Sequence, residues 1–292
     1  LFYAENAVNM QTIINYFEHI SSAHRSAILV GGILFFWLIE SGWPLFRFGY
    51  NKWKHAGVNF FFTLTTILVN FPLAFILVKS SDWAIQSGFG LLPWMGEVPI
   101  WLKAIIGLLT LDLIGAWLAH WTQHKTKWMW RFHLIHHADQ QVDTTTANRH
   151  HPGESLIRFL FTTMAILIAG APMWLVFLYQ SLSVVLSQFN HANITLPKLL
   201  DTVVSLVIVT PNMHHIHHHY VQPYTDSNYG NIFSIWDRIL GTFKSMNQKE
   251  IIYGIDTHLK PEENSRVKNL LQIPFQKYRP PIGKEANKQG IF

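Results

Sequence analysis

The chain contains no cysteine. That absence excludes a disulfide framework, a thiolate zinc site and any iron–sulfur cluster ligated by the protein itself. Charge is scarce as well. Asp, Glu, Lys and Arg make up 13% of the 292 residues, against about 25% in an average soluble domain. Hydrophobic residues reach 49%, with 12 Trp and 21 Phe, and this balance points to a membrane protein. The net charge of +5 does not indicate a nucleic-acid partner. Its basic residues are scattered, and basic flanks beside apolar stretches report membrane orientation instead. The chain begins at Leu1 rather than Met, which leaves the true N-terminus and any targeting signal open.

Three apolar stretches have the length of membrane-spanning helices: 26–46 with the single charge Glu40, 56–78 with none, and 100–119 with Lys103 and Asp112. Each approaches the roughly 20 residues needed to cross about 30 Å of hydrocarbon. Arg47, Lys52 and Lys54 follow the first stretch, and Lys125, Lys127 and Arg131 follow the third. The positive-inside rule therefore places 47–55 and the segment after 119 in the cytoplasm. A fourth region, Phe159 to Asn190, carries no charge but is broken by "AGAP" at 169–172. Gly and Pro together mark a turn, so 156–190 reads as a broken hairpin. Its arms of about 14 and 18 residues would give the first a reach of about 21 Å, short of the far leaflet. Residues 199–210 form a further short apolar piece.

The expected architecture is an all-α integral membrane protein. It has three transmembrane helices, the broken hairpin and a cytoplasm-facing helical cap. N-terminal membrane helices occupy 1–104, a catalytic domain 105–245, and a polar cytoplasmic tail 246–292. A bacterial inner membrane is favoured over the endoplasmic reticulum.

Histidine is what the chain has in excess. Of 17 copies, 13 lie between 120 and 219, at the cytoplasmic ends of apolar segments. "HWTQH" gives His120 and His124; "HLIHH" gives His133, His136 and His137; "HHIHH" gives His214, His215, His217 and His218. Spacings of three and four project imidazoles from one helix side. His191 in "FNHAN" stands where the hairpin returns. His19, His24, His55 and His258 are single and read as polar surface.

One catalytic zinc takes about three protein ligands, so eight or nine imidazoles suit two ions with room for an exogenous ligand. Imidazole serves zinc, copper, iron and nickel alike. "HWTQH" lacks the glutamate of the His-Glu-x-x-His metalloprotease motif, which weighs against a membrane zinc hydrolase. Transporters hold polar ligands near the bilayer midplane, whereas these histidines gather at the boundary, which weighs against a metal transporter or store.

The order His-x-x-x-His, His-x-x-His-His, His-x-x-His-His resembles the fatty acid hydroxylase/sterol desaturase superfamily of membrane di-iron oxygenases. The likeness extends to "RHHPGE" (149–154), "FNHAN" (189–193), "TPNMHHIHH" (210–218), "DSNYG" (226–230) and "WDRILGTF" (236–243). It implies two iron ions, with zinc a substitute on isolation, and O2-dependent hydroxylation or desaturation of a lipid. It also implies the ligands His120, His124, His133, His136, His137, His191, His214, His217 and His218. His215 and His219 flank the last box and leave its register open by one place. Electrons would come from outside, from a ferredoxin, a small cytochrome or a reduced pterin. Ligating imidazoles usually donate their second N–H to a carboxylate or carbonyl, which makes Asp112, Asp139, Asp143, Asp226 and Asp237 candidate supports. His150, His151 and Glu154 are expected to line a lid, with His151 a candidate tenth ligand. Asp112, His151 and Asp237 are the expected catalytic side chains beyond the ligands.

Overall fold

The computed structural model describes residues 2–283; the end of the expected tail, 284–292, lies outside the described residues. The described chain is helical and contains no named strand, only two isolated bridges. In order come α1 (Phe2–Glu18), α2 (Ser22–Gly42), α3 (Lys52–Gln86), α4 (Leu91–Trp94) and α5 (Ile100–Asp112). A π-helical stretch, Leu113–Leu118, joins α5 to α6 (Ala119–Lys125). After α7 (Lys127–His137) and a 3-10 turn (Thr144–Asn148) come α8 (Pro152–Ala169) and α9 (Met173–His191). The cap follows with α10 (Lys198–Val204), α11 (Pro211–His217), α12 (Ile235–Ile239), α13 (Pro261–Asn264) and α14 (Val267–Gln272).

Four helical stretches are long and apolar enough to cross a membrane: Ser22–Gly42, Lys52–Trp94, Ile100–Lys125 and Pro152–Ala169. The first two turn their large side chains outward. Leu38 is 74% exposed and Phe71 is 71% exposed, an arrangement that water would penalise and hydrocarbon permits. The third and fourth are more enclosed, because α5 and α8 share a core with α9 around Leu111, Ile166 and Leu175.

The hairpin's first arm is longer than its uncharged run implies. It has 18 residues, because the helix starts before Phe159. His151 caps it by accepting from Gly153 N, and Pro152 occupies its first turn. Gly170, at φ 62°, ends the arm in the left-handed conformation. The tip then meets the last turns of α3: Ser81 Oγ donates to Ala171 O at 2.7 Å. A Cβ on Gly170 would lie 2.5 Å from Phe89 O. The first arm is thus longer than the expected length of about 14 residues, and the tip packs against the far end of α3.

Residues 251–275 are not a loose extension. Ile255, Leu270 and Ile273 pack with Leu134, Ile135 and Ala138 of α7 and Phe62 of α3. Ile251 and Tyr253 join Val142 and Ile216. The tail thereby covers the outer side of the helices that carry the histidines.

Candidate metal centre

The π-helical stretch sits directly before His120. A wider turn shifts the helical face, and here the pair His120 and His124 turns inward while Trp117 reaches Asp237. α7 follows after Thr126 and carries His133, His136 and His137 on its buried last turn. α9 ends on His191. α11 is capped by Thr210, whose hydroxyl accepts from Met213 N, and its spacing turns His214, His217 and the following His218 toward the same point. Four helices converge there, α6, α7, α9 and α11.

The imidazoles form two sets. His120, His124, His133, His137 and His217 place one nitrogen each within 4.8 Å of one another, as do His136, His191, His214 and His218. The nine positions named by the resemblance are thus divided five and four. His215 and His219 point away: His215 Nε2 donates to Ala192 O, and His219 Nδ1 accepts from Ile252 N. The geometry favours the register His214, His217, His218.

Outer nitrogens are held by the protein. His120 Nδ1 donates to Tyr229 O at 2.8 Å, His191 Nδ1 to Ser187 O at 2.7 Å, and His217 Nδ1 to Ser227 O at 2.6 Å. His133 Nδ1 donates to Glu154 Oε1 at 2.9 Å, and His124 Nδ1 to Asp226 Oδ1 at 3.2 Å. With those protons committed, the inner Nε2 atoms carry lone pairs. His120 Nε2 and His133 Nε2 then face each other at 3.0 Å with no proton between them. In the second set, His191 Nε2 lies 3.1 Å from His136 Nε2, 3.1 Å from His214 Nε2 and 3.2 Å from His218 Nε2, yet one lone pair can accept from only one of them. His124 Nε2, His217 Nε2 and both nitrogens of His137 are buried without a hydrogen-bond partner. Converging lone pairs repel unless cations lie among them, so the residues present fit metal ions at both sets.

Protonation agrees with that arrangement. Burial, compounded by neighbouring imidazoles, pushes His136, His137, His214, His217 and His218 well below the usual histidine range. Their neutral form is the one that binds metal. A cavity of about 30 Å³ opens onto His120, His133, His136, His191 and His214, with Arg158 on its wall. The guanidinium lies 3.8 Å from Glu154 Oε1, beyond hydrogen-bond reach.

The expected supports have different places. Asp237 accepts from Trp117 Nε1, Tyr229 N, Gly230 N and Thr242 Oγ1, so it fixes the loop whose Tyr229 carbonyl holds His120. Asp112 touches none of the imidazoles by hydrogen bond; it accepts from Ile232 N, Phe233 N and Trp236 Nε1. Its burial in the span made it conspicuous, but its partners are two peptide N–H groups and an indole N–H. His151 is a helix cap whose Nε2 is 3.3 Å from Leu271 O. His150 stands nearer the centre, stacked on His136 at 4.6 Å and 3.1 Å from Glu154 Oε1.

Sequence reasoning missed Tyr229, whose ring packs on His120 and His124; its signal was its place in "DSNYG". It also misread His55. That imidazole lies between Asp139 at 2.9 Å and Asp143 at 3.2 Å, and its side chain is 7% exposed. Although burial alone would raise the Asp139 carboxyl, the charges of His55 and Arg149 and the hydrogen bonds from His55 and Thr146 hold it well below its usual range. A larger cavity of about 140 Å³ adjoins this network, lined by Tyr50, Lys54, His55 and Arg149. It does not include the inward imidazoles. His258, also read as surface, is buried within the tail itself.

Residues 104–242 match the family model described as fatty acid hydroxylase. Among curated proteins, the chain is 26% identical over 174 residues to the ornithine lipid hydroxylase OlsE of Rhizobium tropici, covering 60% of this chain and 50% of the relative. It is 30% identical over 168 residues to the alkylglycerol monooxygenase of Homo sapiens, covering 57% and 35%. The alkylglycerol monooxygenase of Danio rerio is likewise 30% identical, over 167 residues, with the same coverage. The matched part therefore spans half or less of these relatives' length. No solved structure matches the chain significantly.

Proposed function

Because the chain belongs to the fatty acid hydroxylase family through residues 104–242, we propose that it is a membrane-bound, O2-dependent di-iron hydroxylase of a lipid. The observation that carries this reading is the convergence of nine imidazoles in two sets with their lone pairs directed inward. His120, His124, His133, His137 and His217 would hold one iron, and His136, His191, His214 and His218 the other. Bound iron would supply dioxygen activation, which no side chain here can perform. The net reaction inserts one oxygen atom into a C–H bond and releases the other as water, consuming two electrons and two protons. Those electrons come from an external donor on the cytoplasmic face, a ferredoxin, a small cytochrome or a reduced pterin.

The protein's own residues set the geometry. Glu154, Tyr229 O, Ser227 O and Ser187 O fix ring orientation and tautomer, and such outer partners raise ligand basicity. Asp237 keeps Tyr229 O in place. Leu111, Ile166 and Leu175 form an apolar core among the helices that carry the centre. Hydroxylation is favoured over desaturation because the relatives named above are a hydroxylase and monooxygenases.

The test uses the purified chain reconstituted with iron, a chemical reductant and a total membrane lipid extract under isotopically labelled dioxygen. A lipid should gain one oxygen atom bearing the label, and His137→Ala should abolish that gain. Label entering products from water instead of dioxygen would defeat the oxygenase reading.

A further inference from the structure

The short apolar piece at 199–210 has no part in the centre, yet it is held in a definite place. α10 and the residues after it expose Leu199, Leu200, Val203, Leu206 and Val207, with Leu199 77% exposed. Positions 199 and 203 share one face of α10, and Leu206 and Val207 follow in the turn beyond it. α12 lies alongside and adds Ile239, 71% exposed, and Leu240. The two pieces are tied together: Ile208 and Phe233 form a bridge, Ser234 N donates to Val207 O at 3.0 Å, and Ser234 Oγ to Ser205 O at 2.6 Å. Arg238 Nη2 donates to Ser205 O at 3.0 Å. The patch is one surface built from two segments.

Its depth follows from Asp112. This residue lies twelve positions after Ile100 within the stretch Ile100–Lys125, about 18 Å along a helix that crosses about 30 Å of hydrocarbon. Asp112 accepts the backbone N–H groups of Ile232 and Phe233 and the indole N–H of Trp236. The start of α12 is therefore anchored at a level inside the bilayer. Irregular backbone survives at that level only if protein groups satisfy it, and the buried carboxylate does so. Lys198, Arg238 and Lys244 are exposed around the patch, where cations meet phospholipid headgroups.

We propose that 198–207 and 235–240 form a single surface inserted into the cytoplasmic leaflet, an inference that rests on the membrane-spanning reading above. The cap is then embedded in the leaflet instead of standing clear of it. Its occupant is phospholipid, and the loop behind it, through Gly230 and Asn231, lines the cavity at the imidazoles. A lipid substrate therefore lies in the same layer as the centre's outer wall.

The absence of cysteine makes the test direct. Single cysteines replace Leu199, Leu206 or Ile239, carry a nitroxide label, and are reconstituted in phosphatidylcholine vesicles containing phosphatidylglycerol. Collision with dioxygen, which concentrates in hydrocarbon, is compared with collision with a water-soluble nickel chelate. Phe71→Cys on the outer face of α3 is the lipid reference and Glu250→Cys the water reference. The dioxygen-to-nickel ratio at all three positions should approach that of Phe71→Cys and exceed that of Glu250→Cys several-fold. A ratio equal to Glu250→Cys, with Phe71→Cys still lipid-like, overturns the inference alone. A water-like Phe71→Cys overturns the spanning reading and the inference together. Protection from both reagents at 199, 206 and 239 means that protein covers the patch, such as a second copy, and also overturns it.

Discussion

His55 and His258 show what an isolated histidine can hide. The imidazole of His55 stands between two buried carboxylates, and Tyr50 Oη donates to Asp143 Oδ2 beside it at 2.7 Å. Removing it leaves Asp139 and Asp143 facing each other in a closed space. Breaking a buried pair from one side costs about 3–5 kcal/mol. Arg149 Nη1, 3.7 Å from Asp139, softens the loss toward the lower end. His55→Ala is thus expected to lower the thermal midpoint of the detergent-solubilised protein clearly; an unchanged midpoint would show that the carboxylates do not depend on this ring. Nothing at positions 53–57 signalled the role, since its partners lie more than eighty residues away. The box histidines were legible because their spacing repeats and needs no tertiary information. Between His150 and His151, by contrast, sequence had no means of choosing. Backbone direction at the start of α8 decides it, making one a cap and turning the other toward Glu154.

At the scale of elements, the hairpin joins the two sets of ligands. α8 begins beside His150 and Glu154, α9 ends on His191, and His191 Nε2 lies 3.1 Å from His136 Nε2. Both ends of the hairpin therefore meet one centre, as the paired boxes required. The tip depends on Gly170, whose φ is 62° and whose absent Cβ leaves room for Phe89 O and Pro93. Gly170→Ala imposes left-handed strain of about 1–3 kcal/mol and adds a clash with backbone that cannot swing aside. The variant should melt earlier while its imidazoles keep their spacing, read as an unchanged metal content in the fraction that remains folded. A midpoint equal to that of the parent would mean that the tip does not pack as described. The "AGAP" break was readable as a turn. The arm's true length was not, because Glu154 and Arg158 ended the uncharged run while the helix continued through them.

For the whole molecule, burial of so many neutral histidines couples folding to pH. His258, within the tail, is lowered from 6.5 to about 4, mainly by burial, with the Arg279 charge adding to it. The sign follows from proton counting. Between pH 6.5 and 4 the unfolded chain binds a proton that the folded chain refuses, so stability falls as pH falls through that window. Below about 4 both states are protonated and this contribution levels off. The metal-free protein should therefore melt progressively earlier from pH 6.5 to 4, and His258→Asn should show a smaller drop. A midpoint that is flat across the window, or one that rises on acidification, would contradict the burial described.

The central claim is that one chain gathers two metal ions on five and four imidazoles. Metal content per chain after iron reconstitution, measured on the parent, on His137→Ala and on His218→Ala, tests it most directly. One ion needs only about three to four such ligands, so the parent should bind about two ions per chain. Each variant should bind fewer, since His137 belongs to the first set and His218 to the second. A firm stoichiometry of one in the parent, unchanged in either variant, would contradict the two-ion centre.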